Sequence, residues 1–433
     1  VRFVLFSIAD TQKVIQQSHL AKLPRPVCGG TQMKERVLVL GAGYAGVMAA
    51  LRTAKQTVGR AEVTLVSAEE TFCERIRLHQ LAAGALLAKH SLSSLLAGQA
   101  VTFRQGLVRE LRPAAGEVVI DQERVGYDRL IYALGSRTEV SRVPGVREHA
   151  YTLDAGSAQR LAQLLPQVAG RGGHLLVVGG GLTGIEAATE LAEAFPPLRV
   201  TLLSQGEVAA TLSAPGRAYV RAALARHRVQ LREHITVSAL EAGMAHLGSV
   251  GSSNPEALPF EVCLWAGGFA GLPLGAEAGL AVNDRQQIWV DPWLRAAGQA
   301  AIYVAGDAAA MTEAVGAPVL MTCKTALPLG AHAADNIARA IYQRPEQRFG
   351  FGDTGSCISL GRHDGIIQTA RRDGTPTTTV FTGRLGAWLK ERVCRFTVAM
   401  LRAEKMTWWS YRWRSAPVVS TAVAGRQGSH LTA

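Results

Sequence analysis

No apolar run in this 433-residue chain approaches the roughly 18 residues that a membrane-spanning helix needs, so nothing in the sequence reads as a bilayer crossing. The six cysteines, Cys28, Cys73, Cys263, Cys323, Cys357 and Cys394, form no C-x-x-C pair and no zinc-ligand spacing. That excludes the common metal sites and fits reduced thiols in a cytoplasmic protein. The eleven histidines fall in no spacing that suggests a nucleophilic triad. Although the formal net charge is +12, no nucleic-acid-binding module is legible, so nucleic acid is not the expected partner. A composition of 48% apolar and 18% charged residues excludes a disordered chain. The length leaves room for two or three domains.

What is present is one pattern written twice. Arg36 to Leu51 reads as an aliphatic strand over Val37 to Leu40, then Gly41, Gly43 and Gly46 at the G-x-G-x-x-G spacing, then a helix. An aliphatic run bounded by glycine suits a parallel strand covered on both faces. Gly41 permits a tight turn, Gly43 lets backbone amides close on a pyrophosphate, and Gly46 lets the helix pack on the strand with its N-terminus toward the anion. His174 to Glu190 repeats the strand, the helix and the glycines, here Gly179, Gly181 and Gly184. Each unit has its second strand where a dinucleotide fold puts it, Glu62 to Ser67 and Arg199 to Ser204. Two nucleotide-sized sites follow.

Between and after these units the sequence is less explicit. Residues 1–33 differ from the rest: Phe3 to Ala9 is a short apolar stretch preceded only by Arg2, and Met33 stands just before the first strand. The preferred reading is an extension outside the true chain, from a start placed too far upstream, and the alternative is a functional extension. Glu69 to Gly84 mixes charge with His79 and small residues, as a loop and helix near a cofactor would or as a plain surface helix would. Tyr127 to Ser136 is a strand entering a small-residue turn, whose glycine lets backbone approach a ligand closely. Pro144-Gly145 marks the crossing into the second unit. Later short strands are expected at Glu261 to Trp265, Gln287 to Asp291 and Ala301 to Ala305, the last running into Gly306-Asp307.

Together these segments resemble the pyridine nucleotide-disulfide oxidoreductases, and within them the type II NADH dehydrogenase and apoptosis-inducing-factor-like branch. The resemblance covers about residues 34–345 and rests on four ordered motifs. It implies an α/β fold of two Rossmann-like dinucleotide-binding domains plus a C-terminal α+β segment. Residues 34–140 with 283–345 would hold FAD, 141–282 would hold NADH or NADPH, and 346–433 would form the C-terminal part. It also implies contacts to FAD from Gly41, Ala42, Gly43, Tyr44, Ala45, Gly46, Ala133 and Gly135, and from Gly306 with Asp307 at the ribityl and phosphate region. Gly179, Gly181, Leu182, Thr183 and Gly184 would contact the nicotinamide nucleotide. Glu186 matches the glutamate that the branch places near nicotinamide and flavin, although a helix N-terminal carboxylate favoured by the macrodipole is an equal reading.

The implied activity is hydride uptake from NAD(P)H and electron transfer to a quinone-like or other small acceptor. Three rivals stay open: a biosynthetic flavin oxidoreductase, a single-cysteine disulfide or peroxide reductase acting through Cys73, and a non-enzymatic FAD-binding factor. The sequence also departs from the branch. Ser67 replaces the acid that usually binds the adenosine ribose, with Glu69 as its substitute, and Ser204-Gln205-Gly206-Glu207 stands there in the second unit. NADH and NADPH therefore remain alternatives. The two spaced glutamines of the quinone-site pattern are missing from Thr325 to His332.

From Val380 onward nine basic residues face two acidic ones. Leu385 to Thr407 places Leu385, Trp388, Leu389, Val393, Phe396 and Met400 along one helical face, with Lys390, Arg395, Arg402 and Lys405 elsewhere and Trp408, Trp409 and Trp413 following. A basic amphipathic helix with tryptophans over residues 385–414 reads as a membrane-surface anchor on the cytoplasmic face. The alternative is a helix packed on its own domain or on a second copy in a homodimer.

Overall fold

An unbroken run of β-branched and leucyl side chains with no polar alternation is stable only where both faces are covered, and Glu35–Leu40 forms the centre of a sheet for that reason. The computed structural model describes residues 33–249, 256–312 and 315–415. Phe3 to Ala9, Cys28 and Arg426 lie outside them.

The first sheet is parallel throughout, in the order Ile302–Val304, Arg129–Tyr132, Glu35–Leu40, Ala61–Ser67, Val101–Gln105. One edge strand thus comes from a part of the chain far beyond the other four. The helix Tyr44–Gln56 covers one face, burying Val47, Met48 and Leu51. A second helix, Cys323–Ile341, crosses it closely, because a Cβ on Gly330 would lie 2.2 Å from the Ala45 carbonyl oxygen. The second sheet repeats the plan with four parallel strands in the order Gln230–Arg232, Arg199–Leu203, His174–Val178, Val262–Trp265, covered by Leu182–Ala194. Each unit carries a three-stranded antiparallel meander, Val108–Arg112 to Glu123–Gly126 in the first and Ile235–Glu241 to Glu256–Pro259 in the second. A two-strand ribbon, Ser136–Thr138 against Phe269–Gly271, marks the crossing between units.

The short helix Leu78–Ala82 belongs to the first unit by sequence yet buries Leu78 and Ala82 in the second unit's core. It ties the two together. The C-terminal part is a three-stranded antiparallel sheet, Gly355–Ser359, Gly365–Ala370 and Pro376–Thr382, followed by the long helix Gly383–Glu404. That helix turns Leu389, Val398 and Leu401 inward. Its end is fixed electrostatically: the fully buried Glu404 carboxylate takes Lys55 Nζ on one oxygen and the Tyr411 amide on the other, and Arg52 donates to the Tyr411 carbonyl at 2.8 Å.

The expected single apolar stripe on this helix is split. Leu389 is buried and Met400 packs on the core, while Leu385, Trp388, Val393 and Phe396 face outward. Lys390, expected on the polar side, is buried because a carboxylate waits for it inside. Nor are the tryptophans one belt. Trp413 donates its Nε1–H to the Gly350 carbonyl at 2.9 Å and stacks on Tyr411, and Trp409 packs on the core. Trp408 alone of the three is largely exposed, at 80%. Among the described residues no helix is long and apolar enough to cross a membrane.

Candidate active site

The two glycine loops have the same local geometry. Gly41 has φ +95°, and a Cβ there would lie 2.4 Å from the Ala133 carbonyl oxygen; Gly179 has φ +125°, and a Cβ there would lie 2.4 Å from that of Ala266. Cβ atoms at Gly46 and Gly184 would fall 1.8 and 1.9 Å from the carbonyl oxygens of Gly41 and Gly179. Only glycine fits at these four positions. The middle glycines are the opposite case: nothing lies within 4 Å of a Cβ at Gly43 or Gly181. Each is also the N-cap of its helix, with no side-chain cap and no acid in the first turn. Ala42, Tyr44 and Ala45 complete the first loop, Leu182 and Thr183 the second. Bare helix N-termini over open backbone are what a pyrophosphate requires, and the loop residues fit that group twice.

Around the first loop three chain segments converge. The Ala133-to-Gly135 turn backs onto Gly41, with Gly135 at φ +72°. Gly306, at φ +74°, sits on Ala45, where an added Cβ would lie 2.9 Å from the alanine methyl. Asp307 Oδ2 accepts from Ser136 Oγ at 2.7 Å and lies 3.7 Å from Arg75 Nη1. Its backbone carbonyl takes the Gln287 amide at 2.9 Å. The Asp307 carboxylate is thereby fixed against the strand that follows the Ala133-to-Gly135 turn. Glu69 is exposed two residues past the strand Ala61–Ser67 and is tethered by its amide to Ser67 Oγ.

The second loop is closed differently. At its strand end Ser204 is buried against Gly180, where a Cβ would meet the Ser204 hydroxyl at 2.0 Å. Glu207, the next acid, is held by Arg217 at 3.3 Å. Glu186, one turn into the helix, is buried: Oε1 accepts from Lys390 Nζ at 2.8 Å and from the Ser359 amide at 3.0 Å, and Oε2 lies 3.9 Å from His79 Nδ1. Burial alone would push this carboxyl up, but Lys390, His79 and the amide outweigh it and hold it below the usual range. Burial works against the Lys390 charge as well, and Glu186 helps keep the ammonium well above its ordinary value. His79 is pushed down to about 4 by burial, against the pull of Glu186, and so is neutral at pH 7. Its Nε2 is buried without a partner. Glu186 is therefore an ionised carboxylate clamped by the C-terminal helix, a setting that helix-dipole stabilisation alone does not require.

Cys73 is exposed and free, and desolvation, only partly offset by Arg75, pushes its thiol above the ordinary value, which disfavours a nucleophilic thiolate. The segment Thr325 to His332 is a packing element: Thr325 Oγ1 donates to the Leu320 carbonyl and His332 Nε2 meets the Gln347 carbonyl at 2.8 Å. Sequence reasoning passed over Ala266, though Ala266-Gly267-Gly268 is the second unit's counterpart of the Ala133-to-Gly135 turn and could have been found by matching the halves. It also missed Lys390, Ser359 and His79 as partners of Glu186. No spacing relates them.

Comparison with known proteins bears on the family and the fold. The sequence profile of the family described as pyridine nucleotide-disulphide oxidoreductase matches residues 35–330. An NADH dehydrogenase-like protein of Mycobacterium tuberculosis is 28% identical over 333 residues, 72% of this chain and 82% of that protein. A type II NADH:quinone oxidoreductase of Staphylococcus saprophyticus is 27% identical over 368 residues, 79% of this chain and 91% of that protein. The structure of the sulfide:quinone oxidoreductase from Aquifex aeolicus aligns with a TM-score of 0.74 at 18% identity, over 86% of this chain and 92% of that one. NDH2 from Plasmodium falciparum in complex with NADH aligns with a TM-score of 0.71 at 16% identity, over 86% of this chain and 98% of that one. At such identities the structural likeness speaks to fold.

Proposed function

The chain belongs to the pyridine nucleotide-disulphide oxidoreductase family, and from that premise we propose that it oxidises NADH or NADPH with FAD as cofactor and reduces a quinone-type acceptor. The observation that carries this reading is the pair of glycine loops with matching contacts and open middle glycines. When bound, FAD supplies the two-electron chemistry, taking a hydride from the nicotinamide and yielding two electrons to the acceptor. The balance is NAD(P)H, a proton and a quinone in; NAD(P)+ and a quinol out.

The protein's own residues bind and orient. The helix N-termini behind Gly43 and Gly181 would hold the pyrophosphates of FAD and of the nicotinamide nucleotide, and Asp307 would serve the polar chain of the first. Glu186, fixed on Oε1 by Lys390 and Ser359, presents Oε2 as an ionised oxygen beside the neutral His79. The names of the relatives favour a quinone. The absent glutamines and the buried segment Thr325 to His332 mean that acceptor contacts come from elsewhere in the chain. A thiol-based reductase is disfavoured by the solitary Cys73.

Bleaching of the flavin by NADH and by NADPH in separate stopped-flow experiments, followed by a panel of acceptors, tests the reading. Protein that is colourless and takes up no FAD on reconstitution would overturn it. The outward Leu385, Trp388, Val393 and Phe396, with Arg392 stacked 5.2 Å over Trp388, support docking of the long helix on a membrane surface. Co-sedimentation with anionic vesicles, lost in a Trp388→Ser, Phe396→Ser variant, is the expected result. Self-association at the same face, seen by light scattering without vesicle binding, would assign it to a homodimer.

A further inference from the structure

A cavity of about 800 Å3 opens between residues 74–90 and the long C-terminal helix, within the size range of small-molecule sites. We propose that this cavity is the acceptor site and that it selects an acceptor bearing an anionic substituent; the inference rests on the oxidoreductase reading above and deepens it.

Position comes first. Lys390 and Ser359, which line the cavity, are the two groups that hold Glu186 Oε1. Arg77, also in the lining, is two residues from Arg75, which reaches Asp307. The inner end of the cavity therefore abuts the groups that clamp Glu186 at the second glycine loop. Ala88, Ala387 and Val398 supply apolar wall for a flat hydrophobic body.

Charge then separates the inner end from the rim. The inner cations are shielded and matched: Arg77, 12% exposed, binds Glu74 at 3.1 Å and Glu391 at 2.8 Å, and Lys390, 11% exposed, binds Glu186. A neutral redox head meets no unbalanced charge there. At the rim the balance fails. Arg395, 70% exposed, shares Glu391 with Arg77, and Arg362, 43% exposed, is drawn back to Glu190 by one nitrogen. Arg402 bonds His90 Nδ1 at 3.3 Å and has no carboxylate within ion-pair distance among the described residues. Each of these guanidinium forks keeps donors free, and three forks at one mouth attract a carboxylate, sulfonate or phosphate group. A wholly neutral acceptor would leave them unused.

Turnover of NADH by the holoenzyme with menadione, which is neutral, and with a naphthoquinone sulfonate of the same bicyclic core provides the test. The expected result is a kcat/KM for the sulfonate about tenfold above that for menadione at low ionic strength, converging on it as salt screens the rim. An Arg395→Gln, Arg402→Gln variant should bring the two acceptors to the same kcat/KM, with flavin content and Tm reporting on folding. Equilibrium dialysis of the oxidised holoenzyme against the sulfonate, without nicotinamide nucleotide, should show the same loss of binding with salt. Equal kcat/KM for both acceptors without salt dependence, or a preference that survives the substitutions, overturns the anionic selectivity and leaves the oxidoreductase reading standing. Failure of both quinones to be reduced overturns that reading as well.

Discussion

The two glycine loops match to about 0.1 Å in the closest contacts an added side chain would make, yet what closes over them differs. A turn backs each of them, Ala133 to Gly135 on the first and Ala266 to Gly268 on the second, but over the first stands Asp307, just past the end of a strand of the same sheet and held by Ser136. The second is capped by the tail, through Lys390 and Ser359 on Glu186. Backbone geometry is thus duplicated while side-chain chemistry is not. The loop is what a pyrophosphate demands of any nucleotide, and the closure is where the two cofactors are asked to behave differently.

The largest effect should come from breaking the shared part. Gly46→Ala and Gly184→Ala each drive a methyl into a backbone carbonyl that cannot rotate away, so each should cost about 3 kcal/mol or more. Thermal melts should show a lower Tm for both, with flavin lost from Gly46→Ala first. If either is neutral, the helix and strand are not packed as described. Lys390→Met probes the part that differs. It strands a buried carboxylate and should cost about 3 kcal/mol, most of it restored by adding Glu186→Gln, as a double-mutant cycle on urea unfolding would reveal.

The same closure gives a pH signature. Because burial lowers His79 to about 4, the unfolded chain binds the extra proton first; stability is full above the unfolded value of about 6.5 and falls as pH drops through about 4. The depressed Glu186 adds a further loss at lower pH, since its contribution is present above the unfolded carboxylate value and disappears as pH falls through its folded one. His79→Leu should flatten the upper part of the Tm profile and shrink, without removing, the lower part, which Lys390 and the Ser359 amide still sustain. Smaller again are Gly43→Ala and Gly181→Ala, which meet open space and should leave Tm unmoved. The first should weaken FAD retention and the second should raise KM for the nicotinamide nucleotide, each by about tenfold, equivalent to about 1.4 kcal/mol. Cys73→Ser should change turnover least of all. A substantial loss there would revive the thiol reductase.

Much of this is legible in the amino-acid sequence. Aliphatic runs ending in glycine triplets gave both sheets their centres, and a steric need for glycine is a local property that spacing records. Glu186 was legible as a position, from its place after Gly184, while its environment was not. Lys390 looked like one more cation on a charged helix, since a side chain's burial depends on what the fold brings opposite it. The tail divided its apolar residues between core and surface for a related reason: Leu389 and Phe396 lie about two turns apart on one stripe of the helix, and what packs against it buries the first and leaves the second in solvent. Periodicity finds an amphipathic stripe but does not say how much of it a neighbour will claim.

The outermost strand of the first sheet, Ile302–Val304, has a consequence for synthesis. Until that segment leaves the ribosome, Arg129–Tyr132 presents an unpaired edge, with the whole second unit already extruded behind it. The nascent first unit is then open at the side where Gly306 and Asp307 will arrive, and its last brace, Glu404 on Lys55, comes later still. The second unit can finish before the first. Cells short of FAD should accordingly accumulate a species with a protease-resistant middle and ragged flanks.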